Sequence, residues 1–181
     1  MEELSELKQR LAQERPDGWE DLPDIPLYMD QVVGYLSRQL ISFEDGDGLT
    51  SAMINNYIKD GLLSRAKGKK YDKEHLAYLT AISAMKQVLS VREMRALVTM
   101  GQEGRDTKRL YDFFCKTLDE ALRETAEHLD ENTTDHDLPK LVLALALRSY
   151  VDGLACRRAL AIMAQREGCG ELLDKKKKKE K

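Results

Sequence analysis

Five cations crowd into nine residues of this 181-residue chain. Arg65, Lys67, Lys69, Lys70 and Lys73 stand against one acid, Asp72, for a net charge of +4 over 65–73. Such a cluster either neutralises phosphate oxygens or merely keeps a loop solvated. Just before it, Ser51, Asn55 and Lys59 recur every four residues with Asn56 beside them. A hydroxyl, an amide and an ammonium therefore share one helix face. An Asn amide can bond adenine N6 and N7 together. A short helix with base-reading amides beside a cationic segment is what docking on duplex DNA asks for. Phosphate contacts fix the register and base edges carry the sequence. At this level alternatives stay open. Asn at a helix end also serves in capping and packing. Tyr57 and Tyr71 each combine an apolar ring for a core with a hydroxyl that could reach a phosphate.

Other chemistry finds little support. His75, His128 and His136 are far apart and match no metal spacing. His75 opens a helix, so a surface imidazole is expected. Glu124, Glu127, His128 and Glu131 form the charged outer face of a helix, and Asp135-His136-Asp137 reads as capping and turn chemistry. There is no GxSxG, GxGxxG or P-loop motif. Cys115, beside Phe113 and Phe114, reads as a small buried hydrophobe; a catalytic thiol would need a paired base. No catalytic residue, metal site or cofactor is expected.

Composition bounds the class. The chain is 42% hydrophobic and 34% charged, with 4 Pro and 11 Gly. That is globular rather than disordered, and Leu, Ala, Glu and Lys outweigh the β-favouring residues. The net charge is −3; Lys175 to Lys181, six Lys and one Glu, holds +5, which leaves −8 on residues 1–174. The basic patch thus sits on an acidic body. Met1 to Arg10 is charged and has no apolar signal core. The longest strongly apolar run, Leu141 to Leu147, is far below the roughly 20 residues of a membrane span. Cys115, Cys156 and Cys169 form no CxxC pair, which suits a reducing compartment. A cytoplasmic protein without a membrane partner is expected.

The elements that must position these residues are helical. Leu4, Leu7 and Leu11 predict a first helix, stopped by Arg15-Pro16-Asp17-Gly18. Trp19 to Leu27, with Pro23 and Pro26, should run extended, pinned by Trp19, Leu22, Ile25 and Leu27. Met29 to Leu40 reads as a helix and Glu44 to Gly48 as a loop. Thr50 caps a helix carrying Met53, Ile54, Tyr57 and Ile58, closed by Gly61. Asp72 caps the next, with Leu76, Leu79, Ile82 and Leu89 apolar. Ser90, with Glu93 at the capping-box position, starts another, with Val91, Met94, Leu97 and Val98 inward and Gly101 and Gly104 at its end. Two long helices follow, Asp106 to Glu131 and Leu138 to about Arg166. The second is apolar nearly all round until Leu147, so that end suits a bundle centre or a subunit interface. Gly168 and Gly170 close it, and the Lys tail should be disordered.

Thr50 to Val98 resembles the winged helix-turn-helix of the MerR regulators. Met53-Ile54-Asn55-Asn56-Tyr57-Ile58-Lys59-Asp60 before Gly61-Leu62-Leu63 is similar to the recognition helix and its step into the wing. Gly68-Lys69-Lys70-Tyr71 with Asp72-Lys73-Glu74-His75-Leu76 is similar to the wing end and the next helix start. A wider match, Trp19 to Val98, carries Leu22-Pro23-Asp24-Ile25-Pro26-Leu27-Tyr28-Met29-Asp30-Gln31-Val32 and Leu49-Thr50-Ser51-Ala52-Met53-Ile54-Asn55-Asn56-Tyr57. It resembles a bacterial family of unknown function (DUF 1836 type) with a presumed MerR-like fold. Asn55 and Asn56 stand where MerR proteins usually present Arg and Tyr, Lys69 where they have Arg, and the link at Ser42 to Gly48 is longer.

The resemblance implies a mainly α protein. An N-terminal helix at 1–18 precedes a MerR-like winged helix-turn-helix with a small β-wing at 19–103. A C-terminal helical dimerisation or ligand domain at 104–170 and a disordered tail at 171–181 follow. It implies a sequence-specific transcriptional regulator that contacts double-stranded DNA through Ser51, Asn55, Asn56, Tyr57, Lys59, Arg65, Lys67, Lys69, Lys70 and Tyr71. Homodimerisation through the C-terminal helices and a small-molecule effector are implied too. The alternative is a non-catalytic interaction module that kept the fold without DNA binding.

Overall fold

The computed structural model describes residues 2–43, 48–102 and 106–166. The expected loop at 44–47, the stop at Gly104, Cys169, the closing glycines Gly168 and Gly170 and the tail at 171–181 lie outside them. Seven α-helices and one 3-10 turn make up the described elements.

Helix α1 (Glu2–Gln13) packs on α6 (Thr107–Glu127) with Leu4, Leu7 and Leu11 half-buried. Lys8 pairs with Glu131 at 2.9 Å, and Arg15 pairs with Asp119. The strap that follows makes a 3-10 turn at Trp19–Asp21 and then runs extended. Leu22 pins it at 2% exposure, whereas Ile25 is 76% exposed and pins nothing. The Pro23 and Pro26 backbone turns Ile25 outward between its two anchors, Leu22 and Leu27. Leu27 closes the strap by exchanging two hydrogen bonds of 2.8 Å with the Tyr71 backbone.

Helix α2 (Met29–Leu36) ends four residues before the expected Leu40. Gln39 is drawn inward instead: its Oε1 accepts from Asp17 N–H at 2.9 Å and its Nε2 donates to Asp17 Oδ2 at 3.0 Å. The chain tightens there into i→i−3 bonds, Arg38 N–H to Tyr35 O and Gln39 N–H to Leu36 O, both 3.2 Å. Asp17 also accepts from Tyr35 Oη at 2.7 Å, and its carbonyl from Tyr111 Oη at 2.8 Å. Burial, then the bond to the Asp17 carboxylate, pushes the Tyr35 hydroxyl pKa up, so it stays a donor.

Helix α3 (Ser51–Lys59) starts as the sequence predicts, with Thr50 Oγ1 accepting from Met53 N–H at 3.2 Å. It ends on Gly61 at φ +70°, with Leu62 N–H to Tyr57 O at 2.9 Å and Gly61 N–H to Ile58 O at 3.2 Å. Those two bonds are the Schellman pair, and the left-handed residue they need carries no Cβ. Helix α4 (Lys73–Met85) is the centre of the core: Leu76, Leu79 and Ile82 are fully buried, and it packs on α2 and α6.

Helix α5 (Val91–Gln102) has the predicted box, Ser90 N–H and Oγ donating to Glu93 Oε2 at 2.8 and 2.7 Å. It lies between two apolar clusters. Met94 enters the main core, and Ala96 meets Leu160 and Ala164 of α7 (Leu138–Arg166). Leu97, expected inward, therefore faces out at 36% exposure. Asp106 caps α6, its carboxylate accepting from Lys108 N–H at 3.2 Å. Tyr111 of α6 stands in the main core between Trp19 and Phe114, with ring centroids 6.3 and 5.8 Å away. Beside α6, an open apolar groove of about 540 Å³ runs between α4, α5 and α6.

Candidate nucleic-acid interface

Two faces of α3 divide the labour. Ile54 and Tyr57 are buried, while Ser51, Asn55, Asn56 and Lys59 are all exposed. The 3.6-residue period forces this split: positions 54 and 57 anchor the helix to the core and turn 51, 55 and 59 to solvent. Of the expected contacts, Tyr57 and Tyr71 belong to the core, at 4% and 5% exposure. Burial raises both hydroxyl pKa values.

The cationic segment is a tight hairpin rather than a β-wing of strands. Among the described residues there is no strand, only the isolated bridges Lys67–Lys70 and Leu27–Tyr71. Lys70 N–H donates to Lys67 O at 3.1 Å across Gly68 (φ +58°) and Lys69 (φ +64°). Two positive φ values in a two-residue loop are what a type I′ hairpin turn demands. The flanking segments are too short to build a ladder. They are held by Leu62 and Leu63 in the core on one side and by the Tyr71 bridge on the other.

His75 corrects the sequence reading. It is 5% exposed, not a surface imidazole. Its Nδ1 meets Asp72 Oδ1 at 2.6 Å, its Nε2 lies 3.1 Å from Ser64 Oγ, and its ring stands edge-on to Tyr71, centroids 5.5 Å apart. The short carboxylate contact makes Nδ1 the donor, so in the neutral ring Nε2 accepts from the Ser64 hydroxyl. Asp72 also accepts from His75 N–H at 3.2 Å as the α4 N-cap. Partial burial works to raise the Asp72 pKa. The imidazole and backbone hydrogen bonds outweigh it and hold the carboxyl below its ordinary value.

The cations differ in freedom. Lys73 pairs with Asp24 at 2.7 Å and lies 5.6 Å from the Trp19 ring centre; Lys70 lies 5.1 Å from that of Tyr28. These two fasten the strap to the hairpin base. Arg65, Lys67 and Lys69 are exposed, and among the described residues they form no ion pair. One further cation belongs to the same surface. A Cβ on Gly61 would lie 3.9 Å from the Arg95 guanidinium, so Arg95 of α5 sits at the α3 C-terminus. That is the negative end of the helix dipole. Arg92 and Arg95, three apart, share an exposed face of α5, a spacing legible in the sequence.

Beyond the C-terminal end of α2, a cavity of about 940 Å³ is lined by Arg38, Gln87 and Leu118 among others. Among the described residues no three His, Cys, Asp or Glu groups gather to hold a metal ion, and no helix is long and apolar enough to cross a membrane. Cys115 is half-buried and burial pushes its thiol pKa up, while Cys156 is exposed.

One family profile, described as Domain of unknown function (DUF1836), matches residues 17–114. The chain belongs to the DUF1836 family. No curated protein and no solved structure matches it. The DUF1836 segment is closed by its own ends: Asp17, its first residue, accepts from Tyr111, which stacks on Phe114, its last. It holds α3, the hairpin and Arg95, and it runs into α6.

Proposed function

We propose that this DUF1836 protein is a non-catalytic, sequence-reading DNA-binding regulator of MerR-like type. Helix α3 enters the major groove with Ser51, Asn55, Asn56 and Lys59 toward the bases. Arg65, Lys67 and Lys69 meet the phosphates. The observation that carries this function is the joint exposure of the α3 polar face and three unpaired hairpin cations on a body of net charge −8. The Schellman end of α3 and the Ser64–His75–Asp72 bonds support it, since they fix the hairpin against the helix. A second copy would bring a second α3, and two-fold pairing would set half-sites about 34 Å or a multiple apart. The cavity beside Arg38 has room for a small effector.

The alternative is an interaction module without DNA binding, favoured by the exposed apolar surface of α7. Binding of the full chain to random-sequence duplex across a salt series separates the two. Docking predicts a log–log slope of several units, reduced by roughly one in Lys69→Asn, and a selection from random duplexes then returns a symmetric site. A flat slope removes the DNA-binding reading.

A further inference from the structure

Among the described residues, the chain carries both an apolar groove without an occupant and a helix whose first half leaves a row of apolar side chains exposed. Leu143, Leu147, Tyr150 and Leu154 of α7 recur at i, i+4, i+7 and i+11, flanked by Val142 and Val151. All six are between 53% and 61% exposed. Among the described residues, the buried side chains of α7 lie toward its far end, Leu160 and Ala164, which meet Ala96. The groove is walled by Met85 and Ala81 of α4, Leu97 of α5, and Leu110, Phe113 and Phe114 of α6; Phe113 is 69% exposed. No α7 residue lines it.

We propose that the occupant is a second copy of this chain. The Leu138–Leu154 arm of each copy lies in the α4–α5–α6 groove of the other, making a closed two-fold dimer. Lengths agree: the 17-residue arm spans about 25 Å and the groove along Thr107–Ala121 about 22 Å at 1.5 Å per residue. The area suffices. Six half-exposed apolar side chains leave on the order of 100 Å² each, roughly 600 Å² per arm, and each copy also covers its groove. A stable interface takes about 800 Å² per partner. Charge agrees as well. The arm carries Lys140 and Arg148 against Asp152, net +1, the rest of α7 adds Arg157, Arg158 and Arg166, and residues 1–137 have 18 cations and 27 acids, net −9. A reciprocal exchange closes on itself and leaves no free arm to build a fibre.

Light scattering on the full chain, without nucleic acid, tests this independently of DNA binding. Wild type should run at twice the chain mass. Leu143→Asp with Leu147→Asp on the arm, or Phe113→Asp in the groove, should each weaken the dimer at least about a hundredfold. These side chains are exposed in the single chain, so thermal melting of the monomeric variants should show an intact fold. Mixing the arm variant with the groove variant should restore dimers, since one intact arm then meets one intact groove. A monomeric wild type, a dimer indifferent to either set of substitutions, or a mixture that stays monomeric overturns the proposal.

Discussion

His75 Nδ1 donates a 2.6 Å hydrogen bond to Asp72 Oδ1, and through it the cationic hairpin is joined to the first turn of the helix at the centre of the core. The same ring reaches Ser64 at the start of the hairpin, so one buried side chain sets the distance between α3, hairpin and α4. The pair orders the segment that carries the charge.

The Asp72 carboxyl titrates below its ordinary value in the folded chain. A depressed folded pKa means that the unfolded chain binds the proton first. The stabilisation is therefore complete above the unfolded Asp value of about 4 and is lost as pH falls through the folded one. Unfolding midpoints from pH 7 down to pH 2 should fall more steeply in wild type than in Asp72→Asn. At pH 7 loss of the cap in Asp72→Ala should cost about 1 kcal/mol. Identical pH profiles would remove Asp72 from the account.

Lys69 holds a left-handed backbone at φ +64° that a β-carbon disfavours. Lys69→Gly should raise stability by about 1 kcal/mol in denaturant titration, and Lys69→Asn by less, whereas Lys69→Val should lower it. Both Gly and Asn remove the charge, so DNA affinity and stability should move in opposite directions.

Gly61→Ala should destabilise by about 1–2 kcal/mol, because the Schellman end needs φ +70° there. The nearest atom to the new Cβ is 3.9 Å away, an ordinary contact, so the cost is conformational rather than steric. An urea midpoint unchanged from wild type would argue against this cap.

Asn55→Ala and Arg95→Ala should fail differently. In the proposed docking the exposed Asn55 meets a base, so its loss should relax sequence preference at one position by about 1–3 kcal/mol and leave the salt slope unchanged. Arg95 should act on phosphate, lowering the slope by about one with no change in preferred sequence. Competition binding with selected and scrambled duplexes reads both.

What was legible in the sequence was local. Thr50, Gly61, Asp72 and Ser90 mark helix ends because a cap or a left-handed closure involves residues within five positions. Both faces of α3 followed from its period. What escaped needs distant partners. His75 is buried only because the hairpin brings Ser64 back to it, across eleven positions. Helix α2 stops early because Gln39 finds Asp17, and Leu97 faces out because α7 claims Ala96. The wing was expected as strands; the segment from Ser64 to Tyr71 is too short for more than a turn and its bridges.

The two 2.8 Å bonds between Leu27 and Tyr71 tie the strap to the hairpin base with nothing else in the ladder. Their amides are protected by each other, so neither can trade its hydrogen with solvent unless the pair parts. Deuterium uptake at the two positions should follow a single rate, making strap and hairpin one cooperative opening unit within the larger fold.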